Sequence, residues 1–138
     1  MNRADYDRYL ALFNARDYDG VLAHFADSFE LVFAGYVFRT RAEVKRFYEF
    51  LHAHVRESVT VHRFVSDGRL VALEADVRLE GIDDVMPAML AAQGLERIVP
   101  IRRGQVITIP QFIHYHLENG KIVKALCAVF EPPHAGTH

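Results

Sequence analysis

The chain has 138 residues, 51 % of them hydrophobic and 25 % charged, which fits one globular domain and excludes extended disorder. Sixteen Lys and Arg against eighteen Asp and Glu leave a net charge of −2, so there is no basic surplus for wrapping a nucleic-acid backbone. The single cysteine, Cys127, excludes an intramolecular disulfide and a cysteine-based zinc cluster.

Tyr6, Tyr9, Leu10 and Phe13 fall on one face of a helix over residues 4–14. Asp17 is a good N-cap for a second short helix, in which Tyr18, Val21, Leu22 and Phe25 repeat the spacing. From residue 28 the period changes: Phe29, Leu31 and Phe33 alternate with Ser28, Glu30 and Val32, which predicts a strand over 28–34. Thr40-Arg41-Ala42-Glu43 is a capping box that opens a third helix, with Val44, Phe47, Tyr48, Leu51 and Val55 on its apolar face.

The second half reads as sheet. A strand over 58–65 turns at Ser66-Asp67-Gly68 into a strand over 70–80, where Val71, Leu73, Ala75, Val77 and Leu79 alternate with polar residues. Residues 81–104 form an insert broken by Gly81, Pro87, Gly94, Pro100 and Gly104. Met86, Met89 and Leu90 mark a short helix within it, and its length suits a lid or binding loop. A long strand over 105–117 meets 121–131 across Asn119-Gly120, a strong hairpin signal. The tail at 132–138 is expected to fray. Helices first and antiparallel strands last give an α+β class: one domain over 1–138, three N-terminal helices on a strongly curved antiparallel sheet, shaped as a cone. The charged first thirty residues lack an unbroken apolar run, so neither a leader nor a membrane span is expected, and the expected location is cytoplasmic. Ten Phe and six Tyr without Trp point to an aromatic-rich core or an aromatic-lined cavity.

The run from Tyr9 to Gly20, then Phe25-Ala26-Asp27, Phe47-Tyr48 and Asn119-Gly120-Lys121-Ile122, resembles the nuclear-transport-factor-2-like superfamily over about residues 4–131. That superfamily includes the SnoaL-like polyketide cyclases and ketosteroid isomerase, and it uses one cone for isomerases, cyclases, dehydratases, hydrolases and plain binding modules. The similarity to ketosteroid isomerase implies that Tyr9 is an oxyanion-stabilising hydroxyl and that Tyr48 hydrogen-bonds it. It also implies that the aspartate base of that enzyme is replaced by Phe33, and its protonated, hydrogen-bond-donating aspartate by Ile113. The resemblance further implies a small hydrophobic, oxygen-bearing ligand and a homodimer formed through the outer sheet face. It leaves open an isomerase, cyclase or dehydratase on one side and a non-catalytic ligand-binding or dimerisation module on the other.

On the long strand, the same overlay points Ile107, Ile109, Gln111, Ile113 and Tyr115 inward and His114 and His116 outward. Gln111 and Tyr115 then either orient a ligand oxygen or satisfy each other in the core. Phe13, Phe33, Phe47 and Cys127 join the expected lining, and His54 is expected near the mouth. His114-x-His116 with His62 is a spacing that can hold a metal, yet it equally fits an interface or solvent. No metal or other cofactor is expected. Cys127 reads as a buried apolar thiol. Outward Leu126, Ala128 and Phe130 support the dimer. Arg97, Arg102 and Arg103 in the insert face either an anionic ligand or water.

Overall fold

A computed structural model describes residues 1–135. Its elements are α1 (Arg3–Asn14), α2 (Tyr18–Leu22), β1 (Phe25–Phe33), β2 (Tyr36–Phe38), α3 (Arg41–His54), β3 (Val55–Ser66), β4 (Leu70–Gly81), α4 (Pro87–Ala92), β5 (Val106–Glu118), β6 (Lys121–Val129) and β7 (His134–Ala135). Local chemistry sets the helix starts. Asn2 and Asp5 form a reciprocal capping box on α1, and the Asp17 carboxylate accepts from the Gly20 backbone at 2.9 Å to open α2. On α3, Thr40 Oγ1 accepts from the Glu43 backbone at 3.2 Å, while Glu43 reaches back one residue further than expected, to the Arg39 backbone at 3.2 Å.

The strands run in the order β2-β1-β6-β5-β4-β3, with β7 beside β5. All pairs are antiparallel except one: β1 lies parallel to β6, with Phe33 beside Cys127. The expected antiparallel sheet is therefore mixed, because β1 is reached through helices and not through a hairpin. The Asn119-Gly120 hairpin forms as expected, both residues having positive φ, at 51° and 75°. A second turn of this kind, at Ala34-Gly35, adds β2; alanine at φ 50° carries no turn signal, so the sequence concealed it. The expected fraying of the tail fails at His134–Ala135, whose backbone pairs with Thr108 and Ile107; His138 and its two predecessors lie outside the described residues.

The sheet curls around the helices and divides the interior into two apolar clusters. One joins α1 and α2 to β1, β5 and β6 through Tyr6, Tyr9, Phe13, Phe29 and Ile122. The other lies under the insert, where Val85, Leu90, Leu95 and Ile101 pack on Phe47, Leu51, Val55 and Ile107. The insert is tied at its base. Val85 bridges Ile101, the Gly81 backbone donates to Gln105 O at 2.9 Å, and a Cβ on Gly81 would lie 2.2 Å from the Arg102 carbonyl. Among the described residues no helix is long and apolar enough to cross a membrane.

Candidate functional site

Between the two clusters lies a cavity of about 250 Å³. α1 contributes Tyr6, Tyr9 and Phe13, and α3 contributes Phe47 and Tyr48. Strands β1, β5 and β6 contribute Phe33, Gln111, Ile113, Tyr115 and Cys127, and the insert closes one side with Arg97, Ile98 and Val99. An apolar cavity of roughly 150 Å³ holds one benzene ring, so this one suits a molecule of about two rings, with further groups at the mouth.

Tyr6, Tyr9 and Tyr115 make the floor, with ring centroids 5.7–6.0 Å apart. Burial disfavours the phenolate at each of them. Tyr6 is pushed up to about 12, Tyr9 rises further, and Tyr115 is held well above the ordinary phenol value, with the Tyr115 hydroxyl partly offsetting the effect at Tyr6 and Tyr9. Burial raises Tyr48 well above the ordinary phenol value, and the Glu57 charge adds to it. These hydroxyls therefore stay protonated and can donate to a ligand oxygen across the ordinary pH range. Burial likewise pushes the Cys127 thiol up to about 12, so it is a thiol and not a nucleophilic thiolate.

Nine of the ten residues singled out from sequence line this cavity: Tyr9, Phe13, Phe33, Phe47, Tyr48, Gln111, Ile113, Tyr115 and Cys127. His54 does not. It sits at the last turn of α3, where its Nδ1 lies 2.9 Å from the Phe50 carbonyl, one helical turn back. The expected Tyr9–Tyr48 hydrogen bond is also missing among the described residues. Tyr9 is turned toward Tyr6 and Tyr115, while Tyr48 stacks on His52 with centroids 5.3 Å apart. On the outer sheet face, His62 lies 3.0 Å from Asp76, and no cluster of three or more His, Cys, Asp or Glu side chains able to hold a metal occurs among the described residues.

Residues 6–125 match the SnoaL-like domain family. The chain belongs to that family. The match places it in the nuclear-transport-factor-2-like superfamily, in agreement with the cone of helices on a curved sheet. No curated protein matches it in sequence. Among solved structures, a proposed polyketide cyclase from Pseudomonas putida KT2440 superposes with a TM-score of 0.66 at 22 % identity, over 88 % of this chain and 86 % of that one. An LEH-like epoxide hydrolase from M. tuberculosis gives 0.62 at 16 %, over 87 % and 75 %. A computationally designed 17-OHP binder gives 0.68 at 15 %, over 93 % and 92 %. At these identities the likeness is one of fold.

Three polar residues of this SnoaL-like domain escaped the sequence reading. Glu57 lines the cavity, and its Oε1 lies 2.8 Å from His52 Nε2. The other ring nitrogen, His52 Nδ1, lies 2.7 Å from the Tyr18 hydroxyl. The side chains of His52 and Glu57 are 3 % and 12 % exposed. A carboxylate oxygen accepts, so Nε2–H donates to Glu57; in that tautomer Nδ1 accepts from the Tyr18 hydroxyl, which also lies 3.5 Å from the Tyr48 carbonyl. Two of them carry a phase that becomes visible only once the boundary between α3 and β3 is known. Glu57 is in phase with Val55, Val59 and Val61 along β3, and His52 stands one helical turn after Tyr48.

Proposed function

We propose that this SnoaL-like domain binds a small hydrophobic molecule of about two rings through a carbonyl or hydroxyl oxygen. The observation that carries this reading is a cavity walled by Phe13, Phe33, Phe47, Ile113 and Ile109 whose floor presents phenol hydroxyls held in the neutral, donating form. An apolar wall with a few convergent donors is the usual composition of a small-molecule site. Tyr9 donates to the ligand oxygen, Tyr48 and Tyr115 donate beside it, and Gln111 fixes orientation. As charge develops on that oxygen in an enolate-like state, donors in a water-poor cavity stabilise it more strongly than water does. The activity this favours is an isomerase-, cyclase- or dehydratase-type reaction.

The test is fluorescence titration with 2-naphthol, a two-ring phenol. The expected result is saturable binding at one site per chain. Tyr9→Phe weakens it about tenfold, the loss of one buried hydrogen bond of about 1.4 kcal/mol, and Phe33→Trp abolishes it by filling the space. Unchanged affinity in both variants overturns the reading.

A non-catalytic binding module is favoured by one observation. Phe33 and Ile113, which replace the aspartate base and the protonated aspartate donor implied by the resemblance, both line the cavity, and neither can take or give a proton. Under either reading the chain forms a homodimer through the outer sheet face. Phe130 and Phe112 are each 42 % exposed there and stack at 4.2 Å, next to exposed Ala128. Light scattering after size exclusion tests this, and a monomer at micromolar concentration refutes it.

A further inference from the structure

We infer that Glu57 is the proton acceptor of the cavity, held by a His52–Tyr18 relay, and that the ligand is a carbon acid such as an enolisable ketone. The inference rests on the reading of the cavity as a small-molecule site and adds the group that reading lacks.

Glu57 is the one carboxylate among the described residues that line the cavity. One of its oxygens is taken by His52, and its side chain keeps 12 % exposure toward the cavity it lines. Its charge is felt across the cavity, adding to the rise at Tyr48 and at Cys127. An acid on one wall therefore faces phenol donors on another, the arrangement that enolisation requires. A structural role explains it poorly. A buried acid–histidine pair stabilises a fold no better than apolar residues of the same volume, and apolar residues fill the rest of this wall.

His52 is fixed from every side. Phe13 meets its ring edge-on at 5.4 Å, Tyr48 and Tyr18 stack on it at 5.3 and 5.8 Å, and Tyr18 holds Nδ1. The imidazole thus presents Nε2–H to the carboxylate and sets its direction, so it is a positioning residue and not a catalytic one. In the step itself, Glu57 takes a proton from the carbon next to the carbonyl. The C–H electron pair becomes the new C=C bond, and the carbonyl π pair moves to oxygen, which accepts hydrogen bonds from the tyrosines. Glu57 then returns a proton to carbon, after exchange with solvent that enters the cavity.

The test uses 2-tetralone in heavy water, with benzylic hydrogen–deuterium exchange followed by NMR and 2-naphthol binding measured in parallel. The full chain is expected to catalyse saturable exchange faster than an equal concentration of acetate. Glu57→Gln is expected to bind 2-naphthol within about twofold of the parent and lose about 100-fold or more in exchange rate. His52→Leu lowers kcat for exchange far more than it raises KM, and His52→Gln, which restores an N–H donor to the carboxylate, recovers most of the loss. If Glu57→Gln fails to fold, Glu57→Asp takes its place, and exchange as fast as the parent's overturns the inference. So does a parent that binds 2-naphthol but exchanges no faster than acetate, which leaves the cavity reading standing. A parent that binds no 2-naphthol removes both.

Discussion

The floor of the cone and its mouth are built on opposite principles. At the floor Tyr6 is 1 % exposed, Tyr9 7 % and Tyr115 7 %, and rings pack on rings from α1 and β5. At the mouth Val99 and Val129 are 40 % and 51 % exposed, and position is set by hydrogen bonds to the insert's backbone. The Arg97 backbone donates to the Tyr36 hydroxyl at 2.8 Å, and its guanidinium donates to the Gly35 carbonyl at 3.0 Å while lying over the Tyr36 ring. A floor fixed by packing keeps its donors in place at all times. A mouth fixed by a few exposed hydrogen bonds opens at lower cost, and under the proposed function a ligand would exchange there.

Tyr6→Ala strikes the floor hardest. Removing a fully buried ring costs about 4 kcal/mol, read as a lower denaturant midpoint, with loss of 2-naphthol binding. A loss under about 1 kcal/mol would mean that the floor is not close-packed. Alkali is the next largest probe. Below about pH 10 the buried Tyr6 phenol contributes its full share of stability. As pH rises toward 12 the unfolded chain gives up that proton first, and about 3 kcal/mol is lost. Phenolate absorbance should therefore rise together with loss of circular dichroism; floor tyrosines that ionise in a still-folded chain would show the floor open to water.

At the mouth, Gly81→Ala drives a Cβ to within 2.2 Å of the Arg102 backbone carbonyl, which cannot rotate away. About 2 kcal/mol of destabilisation is expected, with faster amide exchange confined to the insert. Tyr36→Phe is the gentlest change, removing one acceptor from a half-buried site. Stability falls by about 1 kcal/mol or less, and 2-naphthol dissociates faster in stopped flow with little change in its association rate. If dissociation slows or stays the same, Arg97 and Tyr36 do not form the gate.

The same division decides what could be read before folding. The floor was legible because Tyr6, Tyr9 and Phe13 repeat at helical spacing, and because Gln111, Ile113 and Tyr115 alternate along one strand. The cavity lining follows from those two periods. Glu57 and His52 were not legible because they straddle the place where one period gives way to the other. The apolar Val55 continues the stripe of α3, yet it is already the first residue of β3, so Glu57 falls between the expected elements and its inward parity is hidden. His54 erred for the same reason, since a residue in the last turn is turned back on its own helix. The mouth depends on contacts distant in sequence, such as Tyr36 with Arg97 and Ile107 with Ala135, which no local pattern records.

The lone parallel pairing of β1 with β6 bears on how the chain is born. β1 leaves the ribosome before β2 to β5 and its partner only after them, so the seam between the two strands cannot close until β6 has been made. Until then the ring-bearing stripe of α1 can meet β3 and β5 but not the β1–β6 seam. A nascent chain halted before Lys121 carries unpaired edges on β1 and β5, a ready target for chaperones and proteases.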